Sequence, residues 1–230
     1  MSIHDYEAAA IETQHYRMIG QARIREREKG AYMWGKRALD LTCTIAGLIL
    51  ASPVFIAIAI LLKVENPRGY IFFAQERVGK NGKVFRMYKF RSMVPDAELL
   101  LTNLLDRNEV EGAMFKMKDD PRVTKVGRWI RKTSLDELPQ FWNVLKGEMS
   151  LVGPRPSLPR ELSGYTVYDM QRLLVTPGCT GLWQINGRSS IGFKEMVELD
   201  LQYIENRKLS LDLMIMLKTV KVLFGSNEAF

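Results

Sequence analysis

Histidine is nearly missing from this chain. The two present, His4 and His15, both lie in the polar N-terminal arm, so imidazole acid–base chemistry is excluded from the main body. Any catalysis there falls to carboxylates, lysine, tyrosine, hydroxyls or a bound metal. Cysteine is equally scarce. Cys43 sits inside an apolar run and Cys179 stands far from it, so the pair offers neither a disulfide framework nor zinc-ligand spacing. A reducing compartment fits that usage. Acidic residues are in deficit, 26 against 33 Lys and Arg, leaving a net charge of +7. An acidic partner follows: nucleic acid, anionic lipid or a phosphorylated small molecule. Internal repeats and low-complexity segments are also lacking. What remains is 230 residues, enough for one good core or one domain with appendages, and 47% apolar content unevenly spread.

The unevenness has a location. Residues 1–33 form a polar arm in which Arg17, Arg23, Arg25, Arg27 and Lys29 are interrupted by Glu26 and Glu28, the pattern of a solvated helix face or a loosely ordered arm. Lys36-Arg37 then abuts an apolar run over 38–62 whose one ionised residue is Asp40. As a helix this run is about 37 Å long, enough for a hydrocarbon core of about 30 Å. It begins too far in, and runs too long, for a signal peptide. Ser52-Pro53 falls in its middle, where a kink is expected. Cations flank both ends: Lys36 and Arg37 before it, Lys63, Arg68 and Arg77 after it. The positive-inside rule asks both flanks to stay on one side. A helix that dips in and returns satisfies both; a straight span satisfies one.

Past the run, Asn66-Pro67-Arg68-Gly69 and Gly79-Lys80-Asn81-Gly82 are turn signals around a β-prone stretch, and 84–91 alternates apolar with cationic residues. As a strand it places Lys89 and Arg91 on one face, either solvated at a sheet edge or forming a cationic strip for phosphate. Residues 96–110 read as a helix, 123–132 as a short strand or helix rich in cations, and 181–188 as turns with a short strand. Gly147 is a plausible helix C-cap after 141–146. An amphipathic helix reaches about Asn206, and a last apolar helix over 209–224 is too short to span, so it is buried or interfacial. The whole reads as a mixed α/β (α+β) domain over 65–230 joined to a long apolar helix over 34–64.

Thr133-Ser134-Leu135-Asp136-Glu137-Leu138-Pro139-Gln140 concentrates the chemistry. Aspartate attacks phosphorus, and a neighbouring carboxylate holds a hard divalent cation. The plainer reading is a capping box, Ser134 with Glu137, or a cap at Asp136 with Pro139 in the first turn. Gly153-Pro154-Arg155-Pro156 is a stiff loop that projects one arginine, or simply a turn.

Taken together and in order, Lys36-Arg37-Ala38-Leu39-Asp40 with Ser52-Pro53, Lys89-Phe90-Arg91-Ser92-Met93, the Asp136-Glu137 stretch and Gly153-Pro154-Arg155-Pro156 resemble the bacterial sugar transferases, the monotopic polyprenyl-phosphate glycosyl-1-phosphate transferases. The resemblance runs from about Trp34 to the C-terminus and leaves 1–33 outside. It implies a re-entrant helix broken at Ser52 and Pro53, amphipathic interfacial helices, and a site on the cytoplasmic face of the bacterial inner membrane. It implies transfer of sugar-1-phosphate from a UDP-sugar to undecaprenyl phosphate with release of UMP, priming surface polysaccharide synthesis. Asp136 is then the covalent nucleophile and Glu137 helps bind Mg²⁺. Lys89, Arg91, Arg155 and Arg188 are candidates to offset the donor pyrophosphate. The Trp183-Gln184 to Gly187-Arg188 stretch is similar to members using glucose or galactose. Membrane lipids are the expected surroundings, nucleic acid is not an expected partner, and a homo-oligomer is left open. Two rivals stand beside this reading: an aspartate-nucleophile phosphatase at the membrane, and a non-enzymatic basic peripheral protein.

Overall fold

A computed structural model of the protein describes residues 30–109, 117, 119–187 and 191–225. Most of the N-terminal arm and Arg188 lie outside the described residues.

The chain's longest element is α1 (Ala31–Glu65), 35 residues, which extends past the apolar run at both ends and is long and apolar enough to cross a membrane. Pro53 sits inside it. Proline has no N–H for the carbonyl four residues back, here that of Ile49. The Ser52 hydroxyl supplies the missing donor, reaching the Ile49 oxygen at 2.8 Å. The Ser-Pro pair therefore carries its own repair, and the helical assignment is unbroken through it.

Both ends of α1 are seated on the rest of the protein. Near its start, Arg37 donates to the carbonyls of Val144 and Leu145 at 2.7 and 2.8 Å, and the Asp40 carboxylate accepts from Ser150 Oγ and Leu151 N, both at 3.0 Å. Near its end, Ile58 and Leu62 are fully buried in a cluster with Phe90 and Ile130. Burying two such side chains contributes about 1.5–3 kcal/mol each. Between these seats Ile49 and Leu50 are 67% and 81% exposed.

After a turn come β1 (Phe72–Val78) and β2 (Val84–Phe90), an antiparallel pair with Phe72 opposite Phe90 and Val78 opposite Val84. The expected Gly79-Lys80-Asn81-Gly82 turn joins them, with Asn81 at φ 58°. The helix expected over 96–110 is shorter: α2 (Ala97–Leu101) tightens into a 3₁₀ segment, Thr102–Arg107, at the weak helix formers Thr102 and Asn103. Residues 123–132 resolve as helix α3 (Lys125–Lys132), capped by the Thr124 hydroxyl accepting from Gly127 N. Helix α4 (Gln140–Lys146) ends at Gly147, whose φ of 79° is the left-handed cap expected there.

Strand β3 (Ser150–Val152) follows, then the Gly-Pro-Arg-Pro loop and α5 (Val167–Met170). Strand β4 (Gly178–Thr180) pairs parallel with β3. The strand expected within 181–188 is instead α6 (Leu182–Ile185), because the extended strand ends at Thr180. Helices α7 (Phe193–Asn206) and α8 (Leu209–Gly225) close the chain. The larger core packs Val144, Met149, Val152, Val197, Tyr203, Ile204 and Ile215 between α4, the β3–β4 pair, α7 and α8. Mixed helices with small two-stranded sheets agree with the α+β expectation.

Candidate active site

The capping box expected at Ser134 is not formed. Ser134 is left-handed, φ 55°, and makes no side-chain cap bond. Residues Leu135–Glu137 form a 3₁₀ turn, and α4 starts three residues later behind Pro139. The αL residue reverses the chain after α3, so the two carboxylates stand in a tight turn wedged between α3 and α4.

That turn is pinned from below. Asn143 of α4 is fully buried and acts as a peptide surrogate on the open edge of β2: its Oδ1 accepts from Tyr88 N at 3.0 Å and its Nδ2 donates to Arg86 O at 2.7 Å. With α4 registered on β2 this way, Lys89 of β2 reaches Glu137, Nζ to Oε1 at 2.7 Å. Asp136 is 6% exposed. Burial pushes its carboxyl up to about 6; Lys89 pulls it down, Glu137 pushes it up and Arg131 pulls it down.

A cavity of about 910 Å³ opens over this turn. Asp136, Lys89, Arg91 and Arg155 all line it. Four of the expected site residues therefore meet, and Glu137 joins them through Lys89. Ser52 and Pro53 are exposed on α1 and do not line the cavity. Arg188 is outside the described residues.

The cavity also gathers Arg68, Arg77, Arg131 and Arg160, none of which the motifs singled out as site residues. Arg77 is buried; its Nη1 donates to Pro156 O at 2.9 Å and its Nη2 to Gln75 Oε1 at 2.6 Å. Burial, and then the neighbouring Arg155, lower its pKa. It sits at the end of β1, where its letter alone reads as a solvated cation. Arg155 is the loop arginine, held by both oxygens of Glu161 at 3.0 and 3.3 Å. Glu161 is 1% exposed and also accepts from Leu158 N at 2.9 Å. Arg155 itself comes first among the partners that hold the Glu161 carboxyl below its usual range, although burial opposes them. Beneath the loop, Arg172 donates to Arg155 O at 3.2 Å and to the buried Asp200 Oδ2 at 2.8 Å. The proline-fixed loop thus rests on a buried ionic floor that no local pattern reveals, because its members come from three separate segments.

Among the described residues no group of three or more His, Cys, Asp or Glu converges as a metal cage. Two adjacent carboxylates, Asp136 and Glu137, beside this cavity would suit a Mg²⁺ that is shared with substrate phosphates and water.

A family profile described as "Bacterial sugar transferase" matches residues 31–226. Galactosyl transferase CpsE of Streptococcus agalactiae is 44% identical over 99% of this chain and 54% of its own length. That match takes in the arm which the motifs alone leave outside. Undecaprenyl-phosphate galactose phosphotransferase of Salmonella typhimurium is 45% identical over 85% of this chain and 41% of its own length. The chain therefore spans about half the length of these two relatives. Exopolysaccharide production protein ExoY of Rhizobium meliloti is 41% identical over 85% of this chain and 88% of its own length.

Proposed function

The chain belongs to the bacterial sugar transferase family, and from that membership we propose that it transfers sugar-1-phosphate from a UDP-sugar to undecaprenyl phosphate, releasing UMP. The observation that carries the reading is Asp136, a buried carboxylate at the floor of an arginine-lined cavity, in a protein whose apolar helix is part of its own core. Galactose or glucose is the sugar we favour. The names of relatives support that lean: galactose for the Salmonella protein and glucose for a Komagataeibacter xylinus phosphotransferase 39% identical to this chain. The product primes a surface polysaccharide.

Chemically, an Asp136 oxygen attacks the phosphorus that bears the sugar. The bond from that phosphorus to the bridging oxygen breaks, and UMP leaves with the electron pair. A phosphosugar-aspartate remains. An oxygen of the lipid phosphate then attacks the same phosphorus, the aspartyl–phosphorus bond breaks, and the carboxylate is restored. Splitting the transfer lets a soluble donor and a membrane-bound acceptor use one site in turn. Lys89 and Arg155, with Arg77 and Arg160 beside them, offset the donor's charge in a partly desolvated cavity. Glu137, next to Asp136, would hold Mg²⁺, which supplies further positive charge at the phosphate oxygens.

The location proposed is the cytoplasmic face of the inner membrane, with α1 re-entrant. The support is that both ends of α1 contact the same body while Ile49, Leu50, Ser52, Pro53 and Val54 between them are exposed. Apolar residues exposed along α8, Leu209, Leu213, Leu217 and Val220, recur at helical spacing and support an interfacial position for that helix.

The test is detergent-purified protein with Mg²⁺, undecaprenyl phosphate and a panel of UDP-sugars. UMP release is expected with at least one hexose, and Asp136→Asn is expected to lower it by about 10³-fold or more. Wild-type release in that variant would remove Asp136 from the chemistry.

A further inference from the structure

Cations stand at both ends of the cavity, with Lys89, Arg122 and Arg131 also on its lining, and strand β1 gives a scale for its length. Phe72 and Arg77 both line the cavity, five residues apart on β1, which is about 17 Å at strand rise. Arg77, Arg155 and Arg160 gather at one end; Arg77 is tied to that loop through Pro156. At the other end Arg91 N donates to Ile71 O, one residue before β1 begins. A diphosphate is far shorter than this backbone separation, which leaves room in the cavity for a second phosphate group.

Arg91 is fixed with unusual tightness. Its Nη2 donates at 2.9 Å to the carbonyl of Leu62, in the last turn of α1. Gly69 lies flush against its other nitrogen: a Cβ added at Gly69 would stand 1.4 Å from Nη1, so no other residue fits there without moving the guanidinium. Nη1 has no hydrogen-bond partner, although Arg91 is only 8% exposed. A buried, unpaired guanidinium N–H is costly to leave unmade. Next to it stands Arg68, exposed at the cavity mouth.

This end is also the apolar end. Tyr70, Phe72 and Phe73, all on the cavity lining, are 85%, 51% and 40% exposed, and near the end of α1 Ile60 and Val64 are 58% and 75% exposed. Exposed apolar side chains beside a fixed guanidinium that is bonded to the last turn of α1 match a phosphate carried on an apolar chain. A soluble nucleotide sugar makes no use of them.

We propose that Arg91 and Arg68 form the subsite for the acceptor's phosphate monoester, with its prenyl chain lying over Tyr70 and Phe72. Gly69 is a positioning residue that keeps Arg91 in place. The donor diphosphate belongs to the Arg155 end, and Asp136 lies where the two meet. This assignment rests on the transfer reading above and divides its cations between the two half-steps.

The experiment separates those half-steps in nanodiscs of phosphatidylcholine holding the full chain. UMP released from the favoured UDP-sugar without acceptor reports the first; the dependence of turnover on undecaprenyl phosphate reports the second. Arg91→Lys is expected to raise the acceptor KM about tenfold or more while the UMP burst persists. Gly69→Ala is expected to raise it in the same direction. Arg68→Gln, at an exposed position where packing is not at stake, is expected to raise it several-fold. Arg155→Lys is expected to do the reverse, weakening the burst. A helix cap without a phosphate-binding role would not move acceptor KM apart from the burst. An unchanged acceptor KM in both Arg91→Lys and Arg68→Gln, or a burst lost with acceptor KM intact, overturns the assignment and leaves the transfer reading standing. Absence of any burst in the wild type sinks both. Replacing part of the phosphatidylcholine by phosphatidylglycerol is expected to leave the wild-type acceptor KM as it was. A KM that climbs with the anionic lipid would mark a general headgroup site and overturn the monoester assignment.

Discussion

At the scale of the residue, Asp136 is held at a cost. Burial raises its pKa to about 6, against about 3.9 for an unfolded aspartate. Between those values the folded protein binds a proton that the unfolded chain has released, so this residue's contribution to stability falls as pH rises through about 6. Asp136→Asn removes the buried charge. The variant is expected to be more stable than wild type at about pH 7.5, by about 1–3 kcal/mol, and to lose most of that margin near pH 4.5. Thermal melts of both proteins in the same detergent read the difference; a variant less stable at the higher pH would contradict the burial account. In the proposed mechanism Asp136 attacks only as a carboxylate, so the acceptor-free UMP burst is expected to slow by about tenfold per unit below pH 6. Single-turnover rates that stay level down to about pH 5 would argue against Asp136 as the group that titrates. The letters of the sequence mark Asp136 as a candidate, but burial is a property of neighbours brought from elsewhere, so its raised pKa was not legible there.

At the scale of the element, the site depends on one seam between α4 and β2. Asn143 fills the hydrogen bonds that another strand would make along that edge, so an open sheet edge becomes a fixed docking line for a helix. Asn143→Ala leaves a strand donor and acceptor unpaired. It is expected to lower stability by about 1–3 kcal/mol and to cut turnover through a looser Lys89–Glu137 contact. Chemical denaturation paired with the UMP assay checks both; full stability with reduced turnover would place Asn143's role elsewhere. Elements with strong local signals were readable: the apolar helix, the hairpin between β1 and β2, and the Gly147 cap. The Ser134–Glu137 pair gave a misleading signal, since the capping pattern was present but the chain needed a reversal at Ser134 to fit between two helices. The Glu161, Arg172 and Asp200 floor was invisible because the Arg172–Asp200 ion pair and the Arg172 bond to Arg155 O join segments that local patterns do not connect.

At the scale of the whole molecule, the expected topology is a helix whose two ends share one side of the bilayer. Cysteines introduced singly at Gly35 and Asn66 are expected to react with a membrane-impermeant maleimide only from the cytoplasmic side. Labelling of the two from opposite sides would show a straight span. Cations on both flanks of the apolar run were legible in the sequence, but the seats of the helix were not: Arg37 and Asp40 hold α4 and β3, and Ile58 and Leu62 enter the core. That last feature sets the terms on which this protein can be handled. Because part of the hydrophobic interior is made from the same helix that meets the lipid, anchor and catalyst are one folding unit. Cutting the chain after α1 to obtain a water-soluble fragment would hollow out the wall behind Phe90 and Ile130, so the route to a tractable sample is to bring the lipid along.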